Sequence, residues 1–234
     1  MSYYPVFLDI EGKSVLVVGG GRVAERKVSS LLEAGALVTV LAPRLTKELS
    51  RLSKKRKAPK ITHIKGAYAK GALEGFSLVI GASNSLATNK AVSKEANILA
   101  VPVNIVDNAK LSNFIVPAVV KRGELKIAIS TGGQSPFMAK AIKESFDEML
   151  PKELSELVLI MGAVRNKLLK KEVKNDKKLR LYADLLASPM LELLMQYSKG
   201  HGEALVKIDS CLKDLLGRGY TLSALFITLD RSRQ

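Results

Sequence analysis

Apolar positions follow three successive spacings along this chain. In the first, Val15, Leu16, Val17 and Val18 run together and stop at Gly19-Gly20-Gly21. Apolar residues then recur at Val23, Ala24, Val28, Leu31 and Leu32, with the stem of Lys27 on the same face, until Gly35. A β-rich run follows at 37–41. A short unbroken apolar run marks a buried strand, and a three-to-four-residue recurrence marks an amphipathic helix. Strand, turn, helix and strand together have the length that a crossover between parallel strands requires.

The alternation continues with a polar helix after Ala42-Pro43-Arg44 reaching about residue 57, a strand at 61–64, a buried run at 77–80, a helix at 88–96 and a strand at 98–106 that closes at Asp107. A lead-in strand is expected at Val6-Phe7-Leu8. Pro102 implies that its own position in the last strand faces no partner. The spacing then changes. Runs at 114–120 and 125–129 flank Lys121-Arg122-Gly123-Glu124, which reads as a hairpin. Ser135-Pro136 gives an N-cap with proline at the first helical position, opening a helix to about residue 150. From Pro151 the spacing is helical throughout, with faces at Leu154, Leu157, Val158, Ile160 and Met161, at Leu181, Leu185 and Leu186, and at Leu205, Ile208, Leu212, Leu215 and Leu216. Ser188-Pro189 repeats the N-cap and proline signal.

This pattern predicts an α/β chain in three parts. Residues 1–113 form a Rossmann-like parallel sheet domain, 114–150 a small α+β segment of two strands and a helix, and 151–234 an all-helical C-terminal domain. The middle segment has too little core to stand alone and is expected to pack on a second copy of itself.

Composition narrows the class. Of the 234 residues 47% are hydrophobic and 25% charged, and no stretch approaches the ~20 apolar residues of a membrane span. The first residues lack the basic start and apolar core of a secretory signal. A single cysteine, Cys211, excludes an internal disulfide framework and fits a reducing cytoplasm. The net charge of +15 calls for an anionic partner: nucleic acid, an anionic membrane or a polyanionic small molecule. Much of it lies at Lys54, Lys55, Arg56 and Lys57 and in the helical tail at Lys170, Lys171, Lys174, Lys177, Lys178 and Arg180. Few aromatics accompany these clusters, which argues against a platform for single-stranded nucleic acid.

The turn after the first strand, Gly19-Gly20-Gly21-Arg22-Val23-Ala24, is a GxGxxA. The first glycine permits a tight turn, the third lets backbone approach a pyrophosphate, and Ala24 allows close packing of helix on strand. The helix N-terminus then presents free N–H groups to the phosphates. Ala82, Ser83 and Asn84 end a later strand, where open α/β sheets place ligands. Asp107 ends another. A carboxylate there could accept a proton as hydride leaves a substrate, although Asp107-Asn108 is equally good turn chemistry. His63 and His201 lack the neighbours of a metal site, so no metal is expected. No sequence pattern supports a nucleophilic enzyme.

Three stretches, VVGGGRVAERKVSSLLEAGA, VNIVDNAKLSNFIVPAVV and IAISTGGQSPFMAKAIKE, resemble in order and spacing the precorrin-2 dehydrogenase family, which includes the N-terminal module of siroheme synthases. The resemblance covers about residues 1–150. It implies NAD-dependent oxidation of precorrin-2 to sirohydrochlorin in a homodimer whose middle segments interlock. It implies nucleotide contacts at Gly20, Gly21, Arg22, Val23, Pro43 and Arg44, a catalytic Asp107, and a substrate-side turn at Ser130 and Thr131. A tetrapyrrole edged with carboxylates also answers the excess of positive charge. The family contains both dehydrogenase-only and bifunctional members, and ferrous-iron insertion stays open; Thr131, where bifunctional relatives commonly carry serine, favours dehydrogenation alone. No acidic residue ends the second strand, where Arg44 by physics alone suggests a 2′-phosphate; the resemblance favours NAD. The alternative class is a non-catalytic NAD-sensing module whose basic tail binds nucleic acid or another partner.

Overall fold

The computed structural model describes residues 3–57, 59–171, 173–225 and 227. They divide into two compact units, one of Met1–Val116 with Gly132–Gln134 and one of Pro117–Thr131 with Ser135–Gln234.

The first unit is a five-stranded parallel sheet flanked by helices. Its elements are β1 (Ser14–Val18), α1 (Arg22–Glu33), β2 (Leu37–Leu41), α2 (Lys47–Lys54), β3 (Thr62–Ile64), β4 (Leu78–Gly81), α3 (Leu86–Ile98) and β5 (Val103–Ile105). The strand order is β3-β2-β1-β4-β5, every pair parallel. The order reverses beside β1, which is where doubly wound sheets open a crevice. Both faces of the sheet are covered. Val15 and Val17 face a core with Ala24, Val28 and Leu31 of α1, while Leu16 and Val18 face another with Val92 and Ala96 of α3. Strands buried on both sides read as continuous apolar runs, which is why β1 and β4 stand out in the sequence.

Several boundaries differ from expectation. Val6, Phe7 and Leu8 form no strand and are exposed; only Ile10 of that segment reaches the core. Apolar composition marked them, but they pair with no strand among the described residues. Helix α2 stops at Lys54 instead of residue 57. Helix α3 continues through Ile98, leaving β5 only three residues long, because the chain turns at Ala100 (φ +53). Pro102 stands before that strand, and its carbonyl accepts from Val79 N–H at 2.9 Å.

The second unit contains the hairpin of β6 (Ala118–Arg122) and β7 (Leu125–Ile129), then α4 (Pro136–Met149), α5 (Leu154–Lys170), α6 (Asn175–Ala187), α7 (Met190–Ser198) and α8 (Ala204–Leu216). Strand β6 begins four residues later than expected, since Phe114 instead packs on the core of the parallel sheet. The hairpin loop is Gly123-Glu124, with Gly123 at φ +59 in the first position, where a II′ turn favours glycine. Arg122 fastens the hairpin to α4: Nε donates to the Leu150 carbonyl at 3.0 Å, and the guanidinium also reaches the carbonyl and carboxylate of Asp147. These bonds satisfy carbonyls that the end of a helix leaves free. Ser135 caps α4 by accepting from Met138 N–H at 3.2 Å, with Pro136 following as expected. At α7 the proline itself holds the cap position, and Ser188 accepts from Met190 N–H one residue earlier than expected. The helical core is built from Leu157, Ile160, Val164, Leu185, Leu194, Ile208 and Leu212.

Candidate functional site

The carboxyl edge of the parallel sheet gathers most of the candidate residues. Backbone hydrogen bonds continue past the strand ends: Gly19 N–H to the Leu41 carbonyl at 2.9 Å, Ala82 N–H to Val18 at 2.8 Å, and Val106 N–H to Gly81 at 2.9 Å. They align the turn at Gly19–Gly21, the loops at Pro43-Arg44 and Ala82–Asn84, and Asp107 in one row. At the usual strand separation the row spans about 14 Å.

The three glycines differ in what they meet. Gly19 has φ +126, and a Cβ there would strike the Ala82 carbonyl. A Cβ on Gly20 would strike the carbonyl of Arg44, whose loop crosses directly over it. Gly20 is thus a crossing point of two backbones, a structural demand apart from the nucleotide contact that the resemblance implies. A Cβ on Gly21 would meet nothing within 4 Å. Gly21 is also the N-cap of α1 and offers no side chain to its first turn. Open space in front of uncapped amides at the positive end of a helix dipole fits a pyrophosphate.

Polar side chains that carried no expectation hold this edge. Thr46 caps α2, accepting from Leu49 N–H at 3.2 Å, and its hydroxyl donates to Glu25 of α1 at 2.5 Å, while Thr46 N–H donates to the Gly20 carbonyl at 3.0 Å. Asn89 on α3 donates to the Ser83 carbonyl at 2.9 Å, and its Oδ1 is buried with no partner among the described residues. An unpaired acceptor beneath the Ala82–Asn84 loop is a second feature that suits a bound polar group. Pro43, Arg44 and Asn84 are exposed; Ala82 and Ser83 are half-buried.

Asp107 occupies the third position of a turn closed by Asn108 N–H and the Ile105 carbonyl at 3.1 Å, and has φ +58. The left-handed region costs a side-chain-bearing residue roughly 1–2 kcal/mol. Its carboxylate is exposed and makes no hydrogen bond with the described residues; the expected alternative, a turn fastened by the aspartate side chain, is not what holds it. The loop is instead pinned by its neighbours. Ser112 accepts from Ile105 N–H at 2.9 Å and donates to the Asn108 carbonyl at 2.8 Å, Asn113 accepts from Val103 N–H at 2.7 Å, and Asn104 donates to the Phe114 carbonyl at 3.0 Å. Half-buried Lys27 on α1 is held below the usual lysine range by burial and by Arg26, an effect that Asp107 partly opposes. The charge of Lys27 therefore acts on the Asp107 carboxylate, a relation that helical spacing alone did not reveal.

A buried carboxylate supports the loop that follows β3. Glu95 accepts from the Tyr68 hydroxyl at 2.5 Å and from the amides of Leu73 and Gly71 at 3.0 and 3.1 Å. Burial pushes its carboxyl up, but Tyr68, the two amides and Lys70 together hold it below the usual range; burial and Glu95 push the Tyr68 hydroxyl well up. Ser130 and Thr131 belong to the other unit. The Thr131 hydroxyl donates to the Ser135 carbonyl and accepts from Ser135 N–H, both at 3.0 Å, shaping the turn before α4. Among the described residues no three His, Cys, Asp or Glu side chains group as metal ligands, and no helix is long and apolar enough to cross a membrane.

Residues 6–118 match the NAD(P)-binding family model and residues 122–149 the model of the sirohaem biosynthesis protein central segment. A solved structure titled SirC, precorrin-2 dehydrogenase, superposes with TM-score 0.68 and 29% identity, over 91% of this chain and 98% of that one. The chain thus carries the two matched segments in order and is similar over nearly its whole length to that precorrin-2 dehydrogenase. Curated relatives of the chain include a siroheme synthase of Nitrosospira multiformis, 35% identical over 83% of this chain and 41% of that protein. Siroheme synthase 3 of Aeromonas hydrophila is 35% identical over 90% of this chain and 42% of that protein. The chain thus spans about two fifths of the length of these relatives.

Proposed function

We propose that this chain is an NAD-dependent dehydrogenase that oxidises precorrin-2 to sirohydrochlorin. The reaction removes two electrons and two protons from the tetrapyrrole. NAD, when bound, accepts a hydride; one proton remains, and Asp107 is the group that takes it. The observation that carries this reading is the left-handed Asp107, whose free carboxylate stands two strands along from the glycine turn. Backbone strain held in place by surrounding hydrogen bonds is a mark of functional positions. Gly19–Gly21, Arg22 and Val23 would hold the pyrophosphate, Pro43 and Arg44 the adenosine end, and Ala82, Ser83 and Asn84 the crevice between. Ser130 and Thr131 are proposed on the substrate side, and the substrate's carboxylate arms answer the charge of +15. With purified protein, NAD and precorrin-2, Asp107→Asn should lower the rate of NADH appearance by ~10²-fold or more while dinucleotide binding persists. Undiminished turnover would remove Asp107 from the reaction.

The active form is proposed to be a homodimer joined through the 114–150 segment. Phe137, Met138 and Met149 on α4 are 82, 55 and 70% exposed, an apolar surface that suits a self-complementary contact. Light scattering should give twice the chain mass of 25.4 kDa, and Phe137→Glu should return a monomer; a wild-type monomer at micromolar concentration would refute the assignment. The single cysteine supports a reducing, cytoplasmic setting.

A further inference from the structure

Helix α3 turns one face to the sheet. Val92 and Ala96 on that face are fully buried, and helical spacing brings position 89 onto it one turn earlier. An apolar side chain would suit that place, but Asn89 stands there, only 9% exposed. Its Nδ2 donates to the Ser83 carbonyl at 2.9 Å, while Oδ1 is buried with no partner among the described residues. A Cβ added to Gly81, the last residue of β4, would lie 3.5 Å from that Oδ1, so the amide sits against the strand end beneath the 82–84 loop. A buried amide with an unpaired acceptor carries a penalty that an apolar residue of the same shape would not. Stability alone therefore does not account for an asparagine at this position.

The loop above it joins the two halves of the candidate site. On one side, Ala82 N–H donates to the Val18 carbonyl at 2.8 Å, and the Ala82 carbonyl lies where a Cβ of Gly19 would stand. On the other, the Gly81 carbonyl accepts from Val106 N–H at 2.9 Å, next to Asp107. Helix α3 holds the loop at Ser83. The Ser83 hydroxyl accepts from Ser85 N–H at 3.1 Å, Ser85 caps the helix by accepting from Thr88 N–H at 3.2 Å, and Asn89 takes the Ser83 carbonyl. Of these three side chains Asn89 alone is buried.

We propose that Asn89 is a positioning residue of the oxidation, which through the Ser83 carbonyl fixes the height of the 82–84 loop between the glycine turn and Asp107. The proposal rests on the dehydrogenase reading above. Asn89 lies under the loop and acts through it. An apolar side chain of the same shape would push the Ser83 carbonyl outward by a few tenths of an ångström, because carbon meets oxygen at about 3.3 Å or more where an N–H donor meets it near 2.9 Å. Rates respond at this scale, since a misplacement of ~1 Å can lower turnover about 10²-fold.

The test compares Asn89→Leu and Asn89→Ala with wild type in the full chain. With NAD and precorrin-2, both variants should lose about tenfold in kcat while KM for NAD moves less than about threefold. Asn89→Leu should melt within about 3 °C of wild type. Without substrate, its amides at 83–85 should exchange hydrogen faster while those of β1 and β4 keep their protection. Full kcat in either folded variant, or kcat and KM changing together with a large fall in melting temperature, would overturn the inference and leave the dehydrogenase reading intact. Failure of both variants to fold, seen by circular dichroism, would make Asn89 a structural residue and overturn it equally. Wild type that forms no NADH from precorrin-2 would overturn the dehydrogenase reading, and this inference with it.

Discussion

The two units use their small and polar residues in opposite ways. In the parallel-sheet unit, Gly19 and Gly20 are required because backbone crosses where a Cβ would stand, and Ser112, Asn113 and Glu95 each satisfy particular backbone amides. In the second unit Gly123 of the hairpin lies against Ser155, but in its helical part Gly162, Gly200, Gly217 and Gly219 face open space, and the core there is held largely by leucine, isoleucine and valine at helical spacing. A site made where several strand ends converge fixes individual residues. A helical bundle fixes only a period, and many sequences supply it.

The largest effect expected of a substitution that breaks this contrast is at Gly20. Gly20→Ala drives a methyl into a carbonyl that two anchored loops hold in place, so a loss of about 4 kcal/mol or outright failure to fold should appear in urea denaturation. Gly21→Ala, one residue on, should leave stability nearly unmoved while weakening dinucleotide binding. Next comes Glu95→Ala, which strips a partner from two amides and a buried hydroxyl and should cost about 3 kcal/mol. Because the Glu95 carboxyl is held below its ordinary value, its stabilisation is complete above about pH 4–5 and disappears as pH falls through the lowered value. The stability gap between wild type and Glu95→Gln should therefore narrow in acid, and a gap constant down to pH 3 would contradict the bonding described.

A smaller effect with the opposite sign is expected at Asp107. Glycine adopts the left-handed region freely, so Asp107→Gly should raise stability by about 1 kcal/mol while turnover collapses. A destabilised Asp107→Gly would show that the carboxylate holds the loop after all. The smallest effect closes the comparison. Gly162 lies exposed inside α5, and Gly162→Ala should add roughly 0.8 kcal/mol through helix propensity alone, the reverse of the same change at Gly20.

Much of the sheet and its glycine turn was legible because their signals are local. Four apolar residues before three glycines and a 3.6-residue spacing after them specify a strand, a turn and a helix without knowledge of anything distant. The place of Asp107 just after a strand, and that of Gly21 just before a helix, were legible from the local pattern. What escaped depended on partners far along the chain: Arg44 over Gly20, Thr46 on Glu25, Glu95 beneath the 68–73 turn, Lys27 beside Asp107. The misplaced start of the last strand has the same origin. Residues 98–102 are apolar enough for sheet, but Ile98 stays in its helix, and only the turn at Ala100 decides where the strand can begin.

One further consequence belongs to β5, a strand at the rim of the sheet. Its outward N–H groups at Val103 and Ile105 are taken by Asn113 and Ser112, and Asn113 N–H closes on the Val103 carbonyl at 3.0 Å. A rim capped in this way offers no ladder for a stranger's strand to join, so the sheet cannot lengthen from chain to chain on that side. The short loop that carries Asp107 thereby also protects the protein against aggregation.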